Sequence, residues 1–180
     1  MGFVRKFYIA DTHLMHERLL EMQPRAFANI DEHDEHIIKC WNSVVRTEDI
    51  VYHLGDFSMQ LGRQADKVRW YFSRLNGRKH LIIGNHDVDD DGNLHPTLAA
   101  LNWEEEPQWM KFTNDGGRKV VLCHYGIREW QGSNKGAVHF YGHSHGKLPG
   151  VGLSRDVGCD MADITFTPRT FAELTKSMKL

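Results

Sequence analysis

The feature that most constrains this chain is an alternation in its first half. Residues 5–10 (RKFYIA), 50–54 (IVYHL) and 80–83 (HLII) are short apolar runs, and each stops abruptly at Asp or Gly. Runs of this length bounded by turn-forming residues predict buried strands. Between the first two, Ile37, Ile38, Trp41, Val44 and Val45 recur at three- and four-residue spacing, which predicts a helix over about 32–45. Between the second and third, Val68, Tyr71, Phe72 and Leu75 predict another over about 63–74. Strand, crossover, strand, crossover, strand implies parallel strands with helices packed on the sheet.

The second half reads differently. Residues 109–112, 119–123 and 138–141 are short β-type runs, and Asn114-Asp115-Gly116-Gly117 between the first two has the composition of a hairpin turn. Thr170 with Glu173 three residues later predicts a capping box opening a final helix. No repeat, low-complexity tract or long linker divides the 180 residues, so one domain over 1–180 is expected.

Composition limits the partners. No apolar run approaches the ~20 residues a membrane-spanning helix needs. The run after Arg5 and Lys6 ends at Asp11, too soon for a signal peptide, so a cytoplasmic location is the default expectation. With 22 Lys and Arg against 24 Asp and Glu there is no basic block, and an extended nucleic acid is not an expected partner. Cys40, Cys123 and Cys159 are odd in number and far apart, which predicts small buried hydrophobes rather than disulfides or a thiolate metal site. The 12 histidines are the unusual count, because imidazole is both a common metal ligand and a proton carrier near neutral pH.

Position shows which histidines have a task. In open α/β sheets ligands gather beyond the carboxyl ends of strands. The first strand runs into Asp11-x-His13, the second into Gly55-Asp56, and the third into Gly84-Asn85-His86-Asp87. Later strands run into His124 and into Gly142-His143-Ser144-His145. Asp-x-His or Gly-Asp alone is an ordinary polar turn. Five strand ends carrying metal-compatible groups point to one shared rim.

This order resembles the signature of the calcineurin-like metallophosphoesterases, over Asp11 to His145. Asp11-Thr12-His13-Leu14-Met15-His16, Arg25-Ala26-Phe27, Trp41-Asn42 and Val51-Tyr52-His53-Leu54-Gly55-Asp56-Phe57 further resemble small bacterial and phage members. The resemblance implies a four-layer αββα sandwich of two mixed β-sheets with helices outside. It also implies a dinuclear centre: one metal held by Asp11, His13, Asp56 and His145, the other by Asp56, Asn85, His124 and His143, with Asp56 bridging. Imidazole and carboxylate ligands without thiolate suit Mn²⁺, Fe²⁺/Fe³⁺ or Zn²⁺. Two such ions about 3.5–4 Å apart can clamp a phosphate and activate a bridging hydroxide.

The implied activity is hydrolysis of a phosphomonoester or phosphodiester in a small substrate of the nucleotide or cyclic-nucleotide type. His86 is expected to act as general acid, with Asp87 orienting its ring. Cations held by only two carboxylates, Asp11 and Asp56, leave a positive field that attracts a phosphate without a basic patch. His16 and Arg25 are candidate substrate contacts. His33, His36, His95 and His139 lack motif context, and His53 and His80 are expected to be structural. Two alternatives remain at this stage. One is a nuclease using Trp103, Trp109, Tyr125 and Trp130 as stacking platforms; the other is a non-catalytic scaffold for protein contact.

Overall fold

The computed structural model describes residues 3–23 and 25–180. Two four-stranded mixed sheets face each other. The first has the order β3-β2-β1-β8 and contains β1 (Lys6–Ile9), β2 (Ile50–His53), β3 (Arg78–Leu81) and β8 (Arg169–Thr170). In it β1, β2 and β3 are parallel and β8 is antiparallel to β1. The second has the order β4-β5-β6-β7, formed by β4 (Met110–Asp115), β5 (Arg118–Cys123), β6 (Val138–Tyr141) and β7 (Ser154–Asp156). Here β5, β6 and β7 are parallel and β4 returns antiparallel.

The period-2 alternation of side chains sorts the core into layers. On β1, Phe7 and Ile9 face outward to a cluster with Ile37, Ile38 and Trp41 of α2 (Ile30–Val44) and Val68, Tyr71 and Phe72 of α3 (Ala65–Arg74). Tyr8 and Ala10 face inward, where they meet Val120, Leu122, Val138 and Phe140 of the second sheet. The outer face of that sheet is covered more thinly. Val121 packs with Trp130 and Ala137, in a segment whose only regular element is a 3₁₀ turn at Ser133–Lys135.

The local signals act as expected at several ends. Asn29 caps α2 by accepting from Glu32 N, while Glu32 Oε2 accepts from Ala28 N. The turn between β4 and β5 consists of Gly116 and Gly117, both with positive φ (55° and 74°), as a two-residue hairpin loop requires. Thr170 and Glu173 form the capping box that opens α5 (Phe171–Leu174). Two further short helices, α1 (Leu19–Met22) and α4 (Pro96–Ala99), lie in the crossovers. The third strand begins two residues earlier than its apolar run, at Arg78, and Ile82 continues only as a bridge to Gln108. No helix among the described residues is long and apolar enough to cross a membrane.

The two sheets meet at the ends of their parallel strands. Ala10 N donates to Val157 O and Cys159 N donates to Ala10 O, so the chain leaving β7 pairs with the chain leaving β1. On its other side the same segment pairs with the loop after β2, through Asp11 N to Gly55 O and His13 N to Asp56 O, both 3.0 Å. Residues 11–14 are therefore stitched between the two sheets.

Candidate metal centre

That stitching brings the strand ends together. Ligand atoms of Asp11, His13 and His145 all lie within 4.8 Å of one another, and so do those of Asp56, His124 and His143. Asp56 stands between the groups: its Oδ2 is 3.6 Å from His13 Nε2 and 3.4 Å from His124 Nε2. Asn85 joins the second group, with Oδ1 3.1 Å from His124 Nε2. All seven expected ligand residues are thus placed at one rim.

The backbone is bent to put them there. Five of the seven have left-handed φ: Asp11 57°, His13 48°, Asp56 57°, His143 68° and His145 48°. This conformation costs an L-residue ~1–2 kcal/mol, and such outliers gather at functional sites. Glycines let the strands close around them. Gly142 is packed so tightly that a Cβ would lie 2.7 Å from Asp11 Oδ2, and at Gly55 (φ 92°) one would lie 2.4 Å from His124 Nδ1.

Hydrogen bonds fix which ring nitrogens face the centre. His124 Nδ1 donates to Leu54 O at 2.7 Å and His145 Nδ1 donates to Asp160 Oδ2 at 2.6 Å, so each leaves Nε2 as a lone-pair donor. The ring of His13 is buried, yet neither of its nitrogens has a hydrogen-bond partner. An unpaired buried imidazole is costly, and a cation held there would occupy one of its two nitrogens. The donor set of imidazole, carboxylate and one amide oxygen fits Mn²⁺, Fe or Zn²⁺.

Electrostatics agrees. Burial pushes Asp11 up to about 7, aided by the charge of Asp56 and opposed by that of His124. Burial also works against ionised Asp56, but the His124 ring, with Nε2 3.4 Å from Asp56 Oδ2, holds it well below the usual range. The same pair overrides burial at His124 and raises it to about 9. A cation held by these groups would take over the charge balance that a proton on His124 otherwise supplies.

A family model for the calcineurin-like phosphoesterases matches residues 7–156, which contain all seven of these candidate ligand residues. The chain belongs to the calcineurin-like phosphoesterase family. Among the sequence relatives of this chain, Gene 66 protein of Mycobacterium phage D29 is 30% identical over 161 residues, covering 79% of each chain. The protein MJ1445 of Methanocaldococcus jannaschii is 44% identical over 85 residues, 47% of this chain and 48% of that one, so the match spans about half of MJ1445. The solved structure of AQ665, a protein of unknown function from Aquifex aeolicus, superposes with a TM-score of 0.74 over 98% of this chain and 100% of that one. At 21% identity that likeness shows the fold.

Two expected roles are corrected by the contacts. Arg25 was a candidate for holding a phosphate oxygen, but it is buried and its five N–H groups are all taken. Nε and Nη2 donate to Asp160, Nη2 also to Asp11 O, and Nη1 to Thr12 O and His33 Nε2. Asp87, expected to orient the His86 ring, instead accepts from the amides of Asp56, Phe57 and Gly84.

His86 itself is exposed, and its ring stands over the site with its centroid 5.4 Å from that of His13 and 6.2 Å from that of His16. Its amide donates to Asp56 Oδ1 at 2.8 Å, which fixes its backbone. His16 is half-buried, 5.4 Å from His13 between ring centroids, with its Nδ1 unpaired.

The remaining histidines divide as structure. His53 is buried against Thr12 Oγ1, and His80 pairs with Glu105. His95 caps α4 and His139 is buried. Cys123 and Cys159 are buried, while Cys40 is only partly so. Of the aromatic candidates, Trp103 and Trp130 are in the core and Trp109 is exposed. Tyr125 is exposed beside the site, its ring 4.8 Å from that of His143.

Asp160, His33 and Asp34 were missed by sequence reasoning. Asp160 follows β7, a sixth strand end, but that strand (SRD) has no apolar run to reveal it.

Proposed function

We propose that this phosphoesterase uses two metal ions to hydrolyse a phosphomonoester or phosphodiester of a small substrate. The observation that carries the reading is the pair of ligand groups with Asp56 Oδ2 between them, 3.6 Å from His13 and 3.4 Å from His124. One position is formed by Asp11, His13, His145 and Asp56, and the other by Asp56, Asn85, His124 and His143. When bound, two cations there supply Lewis acidity toward a phosphoryl oxygen and a nucleophile at neutral pH.

The protein's own groups do the rest. The five left-handed ligand residues hold their side chains in place before substrate arrives, so little reorganisation accompanies the reaction. His86 projects over the site on a clamped backbone, where it can give its proton to the departing alkoxide oxygen. His16, beside it, is positioned to hydrogen-bond a substrate oxygen. Tyr125, against His143, offers an exposed ring for the organic part of the ester. The net charge of −2 leaves attraction of the phosphate to the cations themselves, which favours a small anionic substrate over a polymer.

The test is turnover of an aryl phosphomonoester and of its bis-aryl diester, before and after chelation and after restoring Mn²⁺ or Zn²⁺. Metal-dependent hydrolysis of either supports the proposal, and the ratio of the two rates assigns monoesterase or diesterase character. Metal binding without hydrolysis of either would favour the scaffold alternative.

A further inference from the structure

His145 is fixed from behind. Its Nδ1 is 2.6 Å from Asp160 Oδ2, and an ionised carboxylate can only accept, so the ring proton sits on Nδ1 and the Nε2 lone pair is kept for the side of Asp11 and His13. Asp160 is fixed in turn by both edges of the Arg25 fork, Nε to Oδ1 and Nη2 to Oδ2, each at 2.8 Å. The other donors of Arg25 reach Asp11 O at 2.7 Å, Thr12 O at 3.1 Å and His33 Nε2 at 2.9 Å. Since Arg25 donates, His33 carries its proton on Nδ1, and it passes that hydrogen bond to Asp34, which accepts the Met15 amide. One buried guanidinium therefore ties the ring of His145 to the backbone that presents Asp11 and His13.

The other group lacks this support on one side. His124 is anchored by Leu54 O, but the ring of His143 is exposed and makes no hydrogen bond among the described residues.

We infer that Asp160 and Arg25 are the positioning pair of the Asp11/His13/His145 position and make it the tighter of the two metal positions. The inference rests on the two-metal reading above. The pair is suited to the task because its charges cancel: it fixes a ligand without diluting the positive field that two cations create. Its effect is also local. Among the described residues every side-chain hydrogen bond of Asp160 goes to Arg25 or His145, and none goes to Asp56, His124 or His143.

The experiment is a calorimetric titration of chelator-treated protein with Zn²⁺, comparing wild type, Asp160→Asn and His143→Ala. Asn supplies one oxygen where Asp supplies two, so it cannot serve both Arg25 and His145 fully. Wild type should bind two ions in distinguishable steps. In Asp160→Asn the tighter step should weaken about 10–100-fold, as outer-shell partners of ligand histidines typically do, while the weaker step holds. His143→Ala should weaken the other step. A wild type that binds two ions, with Asp160→Asn leaving both steps unchanged or weakening both equally, overturns the inference while leaving the two-metal reading intact. A wild type that binds fewer than two ions overturns that reading itself. If Asp160→Asn does not fold, imidazole nitrogen shifts of Zn²⁺-loaded wild type decide. A protonated Nδ1 on His145 is expected, and a protonated Nε2 overturns the proposal.

Discussion

The carboxylate of Asp87 accepts the backbone amide of Asp56 at 2.8 Å, so the residue after His86 holds the expected bridging ligand by its main chain. The same carboxylate takes Gly84 N at 2.8 Å and Phe57 N at 3.0 Å, which locks the loop after β2 to the loop after β3. Asp87→Ala leaves three buried N–H groups without an acceptor, each worth ~1–3 kcal/mol. With partial relaxation, a loss of about 3 kcal/mol is expected by urea unfolding in chelator. Asp87→Asn, which keeps one oxygen, should lose less. Unchanged stability in the alanine variant would return Asp87 to the role of orienting His86.

His86 has no such structural load, because its side chain is exposed. His86→Asn should retain both metals and its melting temperature. Its turnover should fall about 10²–10⁴-fold, the usual range for a lost general acid. The fall should be steepest for alkyl esters, whose leaving groups need the proton, and smallest for nitrophenyl esters. An equal fall across both would remove His86 from the proton-transfer step.

Gly142 tests how closely the two sheets must approach. A Cβ there would lie 2.5 Å from Ala10 Cβ and 2.7 Å from Asp11 Oδ2. Gly142→Ala must push the loop after β6 away from Asp11, whose carboxylate oxygens both lie 3.0 Å from His143 N. A stability loss of ~1–3 kcal/mol is expected for such overpacking, together with lower metal content. Full metal occupancy in a folded variant would show that the site tolerates wider spacing.

The Asp56–His124 pair gives the metal-free protein a pH dependence. His124 is raised from 6.5 to about 9 because burial is outweighed by the charge of Asp56, whose Oδ2 lies 3.4 Å from its Nε2. Its contribution to stability is therefore complete below pH 6.5 and is lost as pH rises through 9, with a size on the order of 3 kcal/mol. Chelator-treated protein should accordingly lose urea resistance between pH 6.5 and 9, and His124→Gln should flatten that slope. Zn²⁺-loaded protein should not show it, since the ligand must already be deprotonated. A flat profile in the chelator-treated wild type would contradict the pairing.

Much of the site was legible because its ligands follow strands that announce themselves. Phe7, Ile9, Val51 and Leu81 belong to apolar runs, so the residues just past them could be located as strand ends. The hairpin at Gly116-Gly117 and the capping box at Thr170 were readable for a similar reason: each depends on a local hydrogen-bonding or φ requirement. The strands β7 and β8 were not, since SRD and RT carry no pattern and are held in place by pairing with β6 and β1. Arg25 was misassigned because a sequence shows a guanidinium near a motif but not the partners that saturate it. Asp160, 135 residues away, is the most important of those partners, and only the fold brings it there.

Metal content tests the two-metal account most directly. Purified wild type and Asp56→Asn, both reconstituted with Mn²⁺ or Zn²⁺ and freed of excess metal, should be compared by elemental analysis alongside aryl phosphoester turnover. Two ions per wild-type chain are predicted, with at most one retained by Asp56→Asn and its turnover lost. A wild type that hydrolyses substrate without metal, or an Asp56→Asn variant that keeps both ions and full activity, would contradict the account.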